Sequence, residues 1–156
     1  MTFHILLNQI TSIFLGFNLL TTLSFDSEIQ SYLYGGSKQD VFIQVTNNHK
    51  TLVLKPMRDD GLSNLLVITS KRKYYFQLGI DRQKPHQFIE IKDGSPGHAL
   101  KKKFESEEFE ILEGGSSVLF RNKVDKPVMV NGIEVKDKEY FSKGVPLLLE
   151  GKRILN

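Results

Sequence analysis

With 156 residues, 40% of them hydrophobic, and a net charge of +3, the chain suits one ordinary domain or two small β modules, and its modest positive excess argues against the basic stripe of a nucleic-acid binder. It has no cysteine, which excludes disulfides, thiolate metal sites and cysteine nucleophiles while leaving the compartment open. The 11 Phe and 5 Tyr without Trp, and the 12 Gly and 5 Pro clustered between apolar runs, describe an all-β chain with its core on pleated surfaces.

The first 37 residues hold no Lys or Arg and only Asp26 and Glu28 as acids. A secretory leader needs a cationic start, and a membrane helix needs about 18 consecutive apolar residues. The opening Met1–Phe25 has neither, since Asn8, Gln9, Thr11, Ser12, Asn18, Thr21 and Thr22 interrupt it. Its period is two: Ile13, Leu15, Phe17, Leu19, Leu23 and Phe25 fall on one face, with Thr21 breaking the series. This predicts one long strand, or two strands bent near Gly16, in preference to an amphipathic helix.

An acidic turn at Asp26–Glu28 precedes a strand over 29–34 and a break at Gly35-Gly36-Ser37. Val41, Ile43 and Val45 then alternate with Phe42 and Gln44, the Thr46–His49 cluster turns the chain, and 51–54 returns it to a stop at Pro56, which reads as a hairpin. A second hairpin is predicted from 64–69 and 73–78. Its first arm is continuously apolar, as for a strand buried on both faces, while Tyr74, Phe76 and Leu78 alternate with Lys73, Tyr75 and Gln77 in the second. About six strands in the first 80 residues suffice for a β-sandwich.

The expected organisation is a β-sandwich module over 1–82 and a smaller, hairpin-rich β module over 83–156. Asp81–Pro85 is the preferred boundary and Asp93–Gly97 the alternative, with a strand at 87–92 between them. The charged segment 98–108 is expected as the one short helix. Strands at 109–112 and 118–121 flank Gly114-Gly115. Asn131-Gly132 between β-branched residues demands a type I′ turn, because both central positions need positive φ. Strands at 145–149 and 152–155 finish the module, and no internal repeat is visible.

Chemistry-bearing constellations are sparse. His4, His49, His86 and His98 lack ligand spacing and read as solvated or capping residues, so no metal site and no cofactor are expected. No G-x-S-x-G occurs, the carboxylates at Asp59-Asp60, Glu105 and Glu107-Glu108 lie in polar stretches, and the Gly-Gly turns lack the Lys-Ser/Thr of a phosphate loop. Two basic clusters adjoin aromatics, Lys71, Arg72 and Lys73 beside Tyr74 to Phe76, and Lys101–Lys103 before Phe104. Such interleaving can stack single-stranded nucleic acid. Here a hairpin tip and a following acidic run favour the rim of a protein contact, with Lys71, Arg72, Lys73 and Tyr75 as candidate partner-binding residues.

Several segments fall in a recognisable order. They are Leu19-Leu-Thr-Thr-Leu-Ser-Phe25, the acidic turn and Tyr34-Gly-Gly36, Leu52-Val-Leu-Lys-Pro56, Ser63-Asn-Leu-Leu-Val-Ile-Thr-Ser70, and Tyr74-Tyr-Phe-Gln-Leu78. Over 15–78 this resembles the N-terminal domain of the TraK/TrbG/CagX family, periplasmic subunits of the outer-membrane core complex of type IV secretion and conjugation machines. The family's C-terminal β domain is not visible in 85–156. The resemblance implies a periplasmic, non-enzymatic β-sandwich associated with the outer membrane, assembling with its own copies and contacting a lipoprotein and an inner-membrane-anchored subunit. It also implies a leader upstream of Thr2, with Met1 an added initiator. A secretin- or pilus-associated periplasmic adaptor, and a single-stranded nucleic-acid-binding β module, are the alternative readings.

Overall fold

The structure, a computed structural model, describes all residues from Met1 to Asn156 and contains strands and turns without a helix. The chain begins with β1 (Thr2–Ile5), β2 (Ile10–Leu15), β3 (Thr21–Phe25), β4 (Ile29–Tyr34), β5 (Val41–Thr46) and β6 (Thr51–Pro56). It continues with β7 (Asn64–Thr69), β8 (Lys73–Ile80), β9 (Phe88–Asp93), β10 (Lys101–Glu105), β11 (Phe109–Glu113) and β12 (Ser117–Asn122). The last strands are β13 (Val128–Val130), β14 (Ile133–Val135), β15 (Lys138–Ser142), β16 (Leu147–Leu149) and β17 (Lys152–Leu155). The all-β reading of the sequence holds.

Two compact units divide the chain. The first comprises Met1–Thr2 and Ile10–Ile91, the second Phe3–Gln9 and Lys92–Asn156. The boundary therefore falls between Ile91 and Lys92, next to the alternative at Asp93–Gly97, and not at 82/83. Asp81–Pro85 reads as a linker because it is polar and carries Pro85, yet the segment 81–87 is a crossover bound into the first unit. Its Asp81 N–H donates to Leu15 O (3.1 Å) and its His86 N–H to Phe14 O (2.7 Å).

In the first unit the sheets run β9-β3-β6-β5 and β2-β8-β7-β4. Period-two side chains explain them: Leu23 and Phe25 on β3, Leu52 and Leu54 on β6, Leu65 and Val67 on β7, and Tyr74, Phe76 and Leu78 on β8 are buried, with half-buried or exposed neighbours between. The hairpins β5–β6 and β7–β8 form as expected, with Ile43 opposite Leu54 and Leu65 opposite Phe76. Asn47, Asn48 and His49 all adopt positive φ in the first turn, a conformation that Asn and His tolerate better than most residues.

Three expectations are corrected here. The opening is three strands, β1, β2 and β3; β2 runs parallel to β8 and β3 parallel to β9 in a different sheet, so the bend near Gly16 is a crossing between layers. Phe17 and Leu19 lie on that crossing and are exposed, while Thr21, the supposed exception, is buried with its hydroxyl donating to His86 O at 2.6 Å. β7 is also not buried on both faces: Leu66 and Ile68 are half-buried on its outer side. Finally, 98–108 holds no helix. Its centre is β10, an exposed edge strand paired with β11, and its charges suit an edge that must resist pairing with other chains.

The second unit has two antiparallel sheets, β10-β11-β12-β15 and β14-β13-β16-β17. Ile111, Val118, Phe120, Val130, Val135, Phe141 and Leu147 form its core. Asn122 is buried, and its side-chain amide nitrogen lies 2.8 Å from Lys126 O and 3.1 Å from Lys136 O, fastening loops that would otherwise leave carbonyls unpaired. The Asn131-Gly132 turn has φ of 50 and 78 at its two centres, as type I′ requires. A Cβ at Gly132 would meet nothing within 4 Å, so Gly132→Ala is expected to cost only backbone strain, about 1–2 kcal/mol. Urea denaturation of the variant checks this, and a larger loss would mean that the turn makes contacts beyond its own backbone.

Candidate partner-binding surface

The β7–β8 hairpin tip is built by Thr69. Its hydroxyl donates to Arg72 O (3.0 Å) and accepts from the N–H groups of Lys71 and Arg72 (3.2 Å each), a local side-chain turn that fixes the loop. Lys71 Nζ lies 3.8 Å from Asp26, and the Arg72 guanidinium sits 4.4 Å from the ring centroid of buried Tyr74. Lys73 and Tyr75 project from the outer face of β8, since their neighbours Tyr74 and Phe76 point inward. The four residues singled out in the sequence are thus split between the tip and the outer face and do not make one basic platform.

What Tyr75 joins instead is an apolar row. Ile10 on β2 pairs with Tyr75 on β8, Tyr75 with Leu66 on β7, and Leu66 with Leu33 on β4, one residue from each strand of the sheet. Ile10, Tyr75 and Leu33 are 58%, 47% and 64% exposed. Sequence reasoning found Tyr75 but missed Ile10 and Leu33. Leu33 does show as the apolar residue between Tyr32 and Tyr34, whereas Ile10 enters only through the parallel register of β2 on β8, which no local pattern encodes.

At the far end of this sheet, β4 runs into a rigid corner around Asp40. The Tyr34 hydroxyl donates to Asp40 Oδ2 (3.0 Å) and accepts from Ser63 N–H (2.9 Å), Ser37 N–H donates to Asp40 Oδ2 (3.2 Å), and Arg58 Nη1 approaches Asp40 Oδ1 at 3.4 Å. Burial alone would raise the Asp40 carboxyl, but the hydroxyl, the N–H and the guanidinium outweigh it and hold it below its ordinary value of 3.8. Burial, with the Asp40 carboxylate beside it, raises Tyr34 above its ordinary 10.0. A Cβ on Gly36 would stand 2.5 Å from Asp40 Oδ2 and 2.8 Å from the Tyr34 ring, so only glycine lets the turn pass this close.

A depressed carboxylate stabilises the fold fully above its unfolded value of 3.8 and ceases to do so as pH falls below that value through the folded one. Asp40→Asn is therefore expected to unfold at lower urea than the parent at pH 7, and the gap between the two should narrow steadily below pH 3.8. A gap that is constant over this range would mean that Asp40 acts only as a neutral acceptor.

The other sequence candidates lie elsewhere. In the second unit Lys102 is 3.0 Å from Glu105, Lys103 is 2.8 Å from Glu113, and Lys123 is 3.2 Å from Glu105. Hydrogen bonds from Lys102 and Lys123 lower Glu105 from 4.5 to about 2. The second basic cluster is thus largely neutralised in place. His86 is buried and its Nδ1 accepts from Phe14 N–H at 2.9 Å, tying the 81–87 crossover to β2 as a capping residue. No group of three or more His, Asp or Glu side chains converges as a metal site. No protein-family model and no curated protein matches the chain. No helix is long and apolar enough to cross a membrane.

Proposed function

We propose that the chain is a structural, non-enzymatic periplasmic subunit of a bacterial envelope secretion or conjugation complex, working by protein–protein assembly at the outer membrane. The observation that carries this reading is the row Ile10, Tyr75, Leu66 and Leu33, which spans the outer face of one sheet. Single exposed apolar side chains are ordinary, whereas a row aligned by strand register makes a contiguous patch of the kind that docks a protein. Three of its four residues lie within 15–78, the stretch whose motifs resemble the TraK/TrbG/CagX N-terminal domain. That resemblance names the partners: copies of this chain, a lipoprotein and an inner-membrane-anchored subunit.

The test is sedimentation of the chain from low micromolar to several hundred micromolar concentration, beside affinity purification from detergent-solubilised envelopes. Oligomers that grow with concentration, or recovery of a lipoprotein and an inner-membrane subunit, are expected, and both should fail in Leu33→Glu/Tyr75→Glu. A strict monomer without an envelope partner would overturn the proposal. So would filter binding of single-stranded DNA that weakens steeply with salt, the signature of phosphate contacts.

A further inference from the structure

We propose that the open edge of β5 is a docking site for an extended segment of another protein with alternating apolar and acidic side chains. β5 pairs only with β6, and β4 only with β7, so each is the edge of its sheet. Between them lies a cleft of about 530 Å³ lined by Tyr32, Leu33 and Tyr34 from β4 and by Val41, Phe42 and Ile43 from β5. The hydroxyl of Tyr32 donates to Ile43 O at 3.4 Å, so that carbonyl points away from β6.

In an antiparallel ladder the N–H and C=O of one residue face the same side, and the side alternates along the strand. Ile43 and Val45 therefore present their backbone groups to the open edge. Pro56, which has no N–H to give, stands opposite Val41 of the same parity, as this alternation requires. An incoming strand would find donors and acceptors on β5 and an aromatic-lined cleft for every second side chain, the arrangement used in β-augmentation.

Charge selects the occupant. Lys38 borders the cleft and also an adjoining hollow formed with Leu20, Phe42, Lys55 and Met57. Phe42, 42% exposed, is the ridge between them. Lys71, Arg58 and Arg82 have carboxylates within 4 Å, whereas Lys38 and Lys55 have none. A strand whose inward side chains are apolar and whose outward ones are acidic satisfies both hollows, because successive side chains point to opposite faces. β5 contains no acid, so a second copy paired β5 to β5 would bring no carboxylate to either lysine. The inference stands on this edge alone and does not depend on the envelope reading.

The probe is an end-capped hexapeptide of alternating valine and glutamate, labelled and titrated with the full chain by fluorescence anisotropy, beside a valine–lysine peptide. Saturable binding of the first, at least tenfold weaker binding of the second, and weakening with salt are expected. Val45→Pro removes an edge donor without touching the ladder to β6 and should abolish binding. Lys38→Glu/Lys55→Glu should reverse the preference between the peptides, and gives a reading should the proline variant fold poorly. Equal binding of both peptides, no saturation at millimolar peptide, or a self-association that Val45→Pro removes would each overturn the proposal. A failure here leaves the Leu33 and Tyr75 oligomerisation test standing.

Discussion

Phe76→Ala is expected to lower the stability of the first unit by about 3–5 kcal/mol, the usual cost of emptying an aromatic site in a packed core. Phe76 is fully buried on β8, and its ring lies 6.3 Å from Tyr74 on the same strand and 6.4 Å from Phe25 on β3. Phe25 and Tyr74 are closer still, at 5.3 Å. Because β3 and β8 belong to different sheets, these rings join the two layers, and alanine would leave a void between them that neither backbone can close. Chemical denaturation read through the first unit's amides should show the loss. Tyr75→Ala, one residue away on the outer face, is the control, with a change within about 1 kcal/mol. Equal effects of the two variants would contradict the assignment of inner and outer faces on β8.

Deleting Thr2–Gln9 should be at least as damaging, and to the second unit, from which these residues are remote in sequence. Phe3, Ile5 and Leu6 are almost wholly buried. His4 exchanges backbone hydrogen bonds with Lys143 at 2.8 and 3.1 Å, Leu6 N–H donates to Ser142 Oγ at 2.9 Å, and Gln9 Nε2 donates to Tyr140 O at 2.7 Å. Burying three such side chains is worth roughly 5–9 kcal/mol, a figure of the same order as the whole stability of a small domain. Hydrogen exchange should therefore show lost protection across β15 and the strands paired with it. Protection unchanged in β15, with loss confined to β9, would show that residues 3–9 do not complete the second unit.

Both outcomes bear on the proposed assembly role. A subunit that works by docking needs rigid frames behind its contact surfaces, and the Phe76 layer lies directly beneath the face that carries Tyr75. The Asp40 corner does the same for the β4–β5 cleft. A variant that loosens either frame should weaken binding indirectly, which is why Leu33→Glu, Tyr75→Glu and the edge variant Val45→Pro, all on surface positions or backbone edges, are the informative substitutions.

Much of the fold was legible because strand formation here is locally encoded. Alternation at Tyr74, Phe76 and Leu78, the Asn47–His49 and Asn131-Gly132 turns and the stop at Pro56 each depend on a residue's own conformational preference or on neighbours two positions away. Tyr75 could be placed on the outer face for the same reason: in a period-two strand the neighbour of an inward ring must face out. Lys71 and Arg72 were legible as a basic tip, but their attachment to Asp26 and Tyr74 was not, since those partners come from other positions in the sheet.

By itself, then, the chain's order of residues determined that it would be all β, where most turns would fall and which side of most strands would be buried. Only the tertiary structure decided that β2 and β3 part into different sheets, that residues 3–9 complete the second unit, and that β4 and β5 stand as facing edges around a cleft. The physical reason is the same in each case. Alternation of side chains is a property of a single strand, whereas parallel pairing and the closing of sheets depend on groups far apart in the chain, and nothing local at either end records the partner.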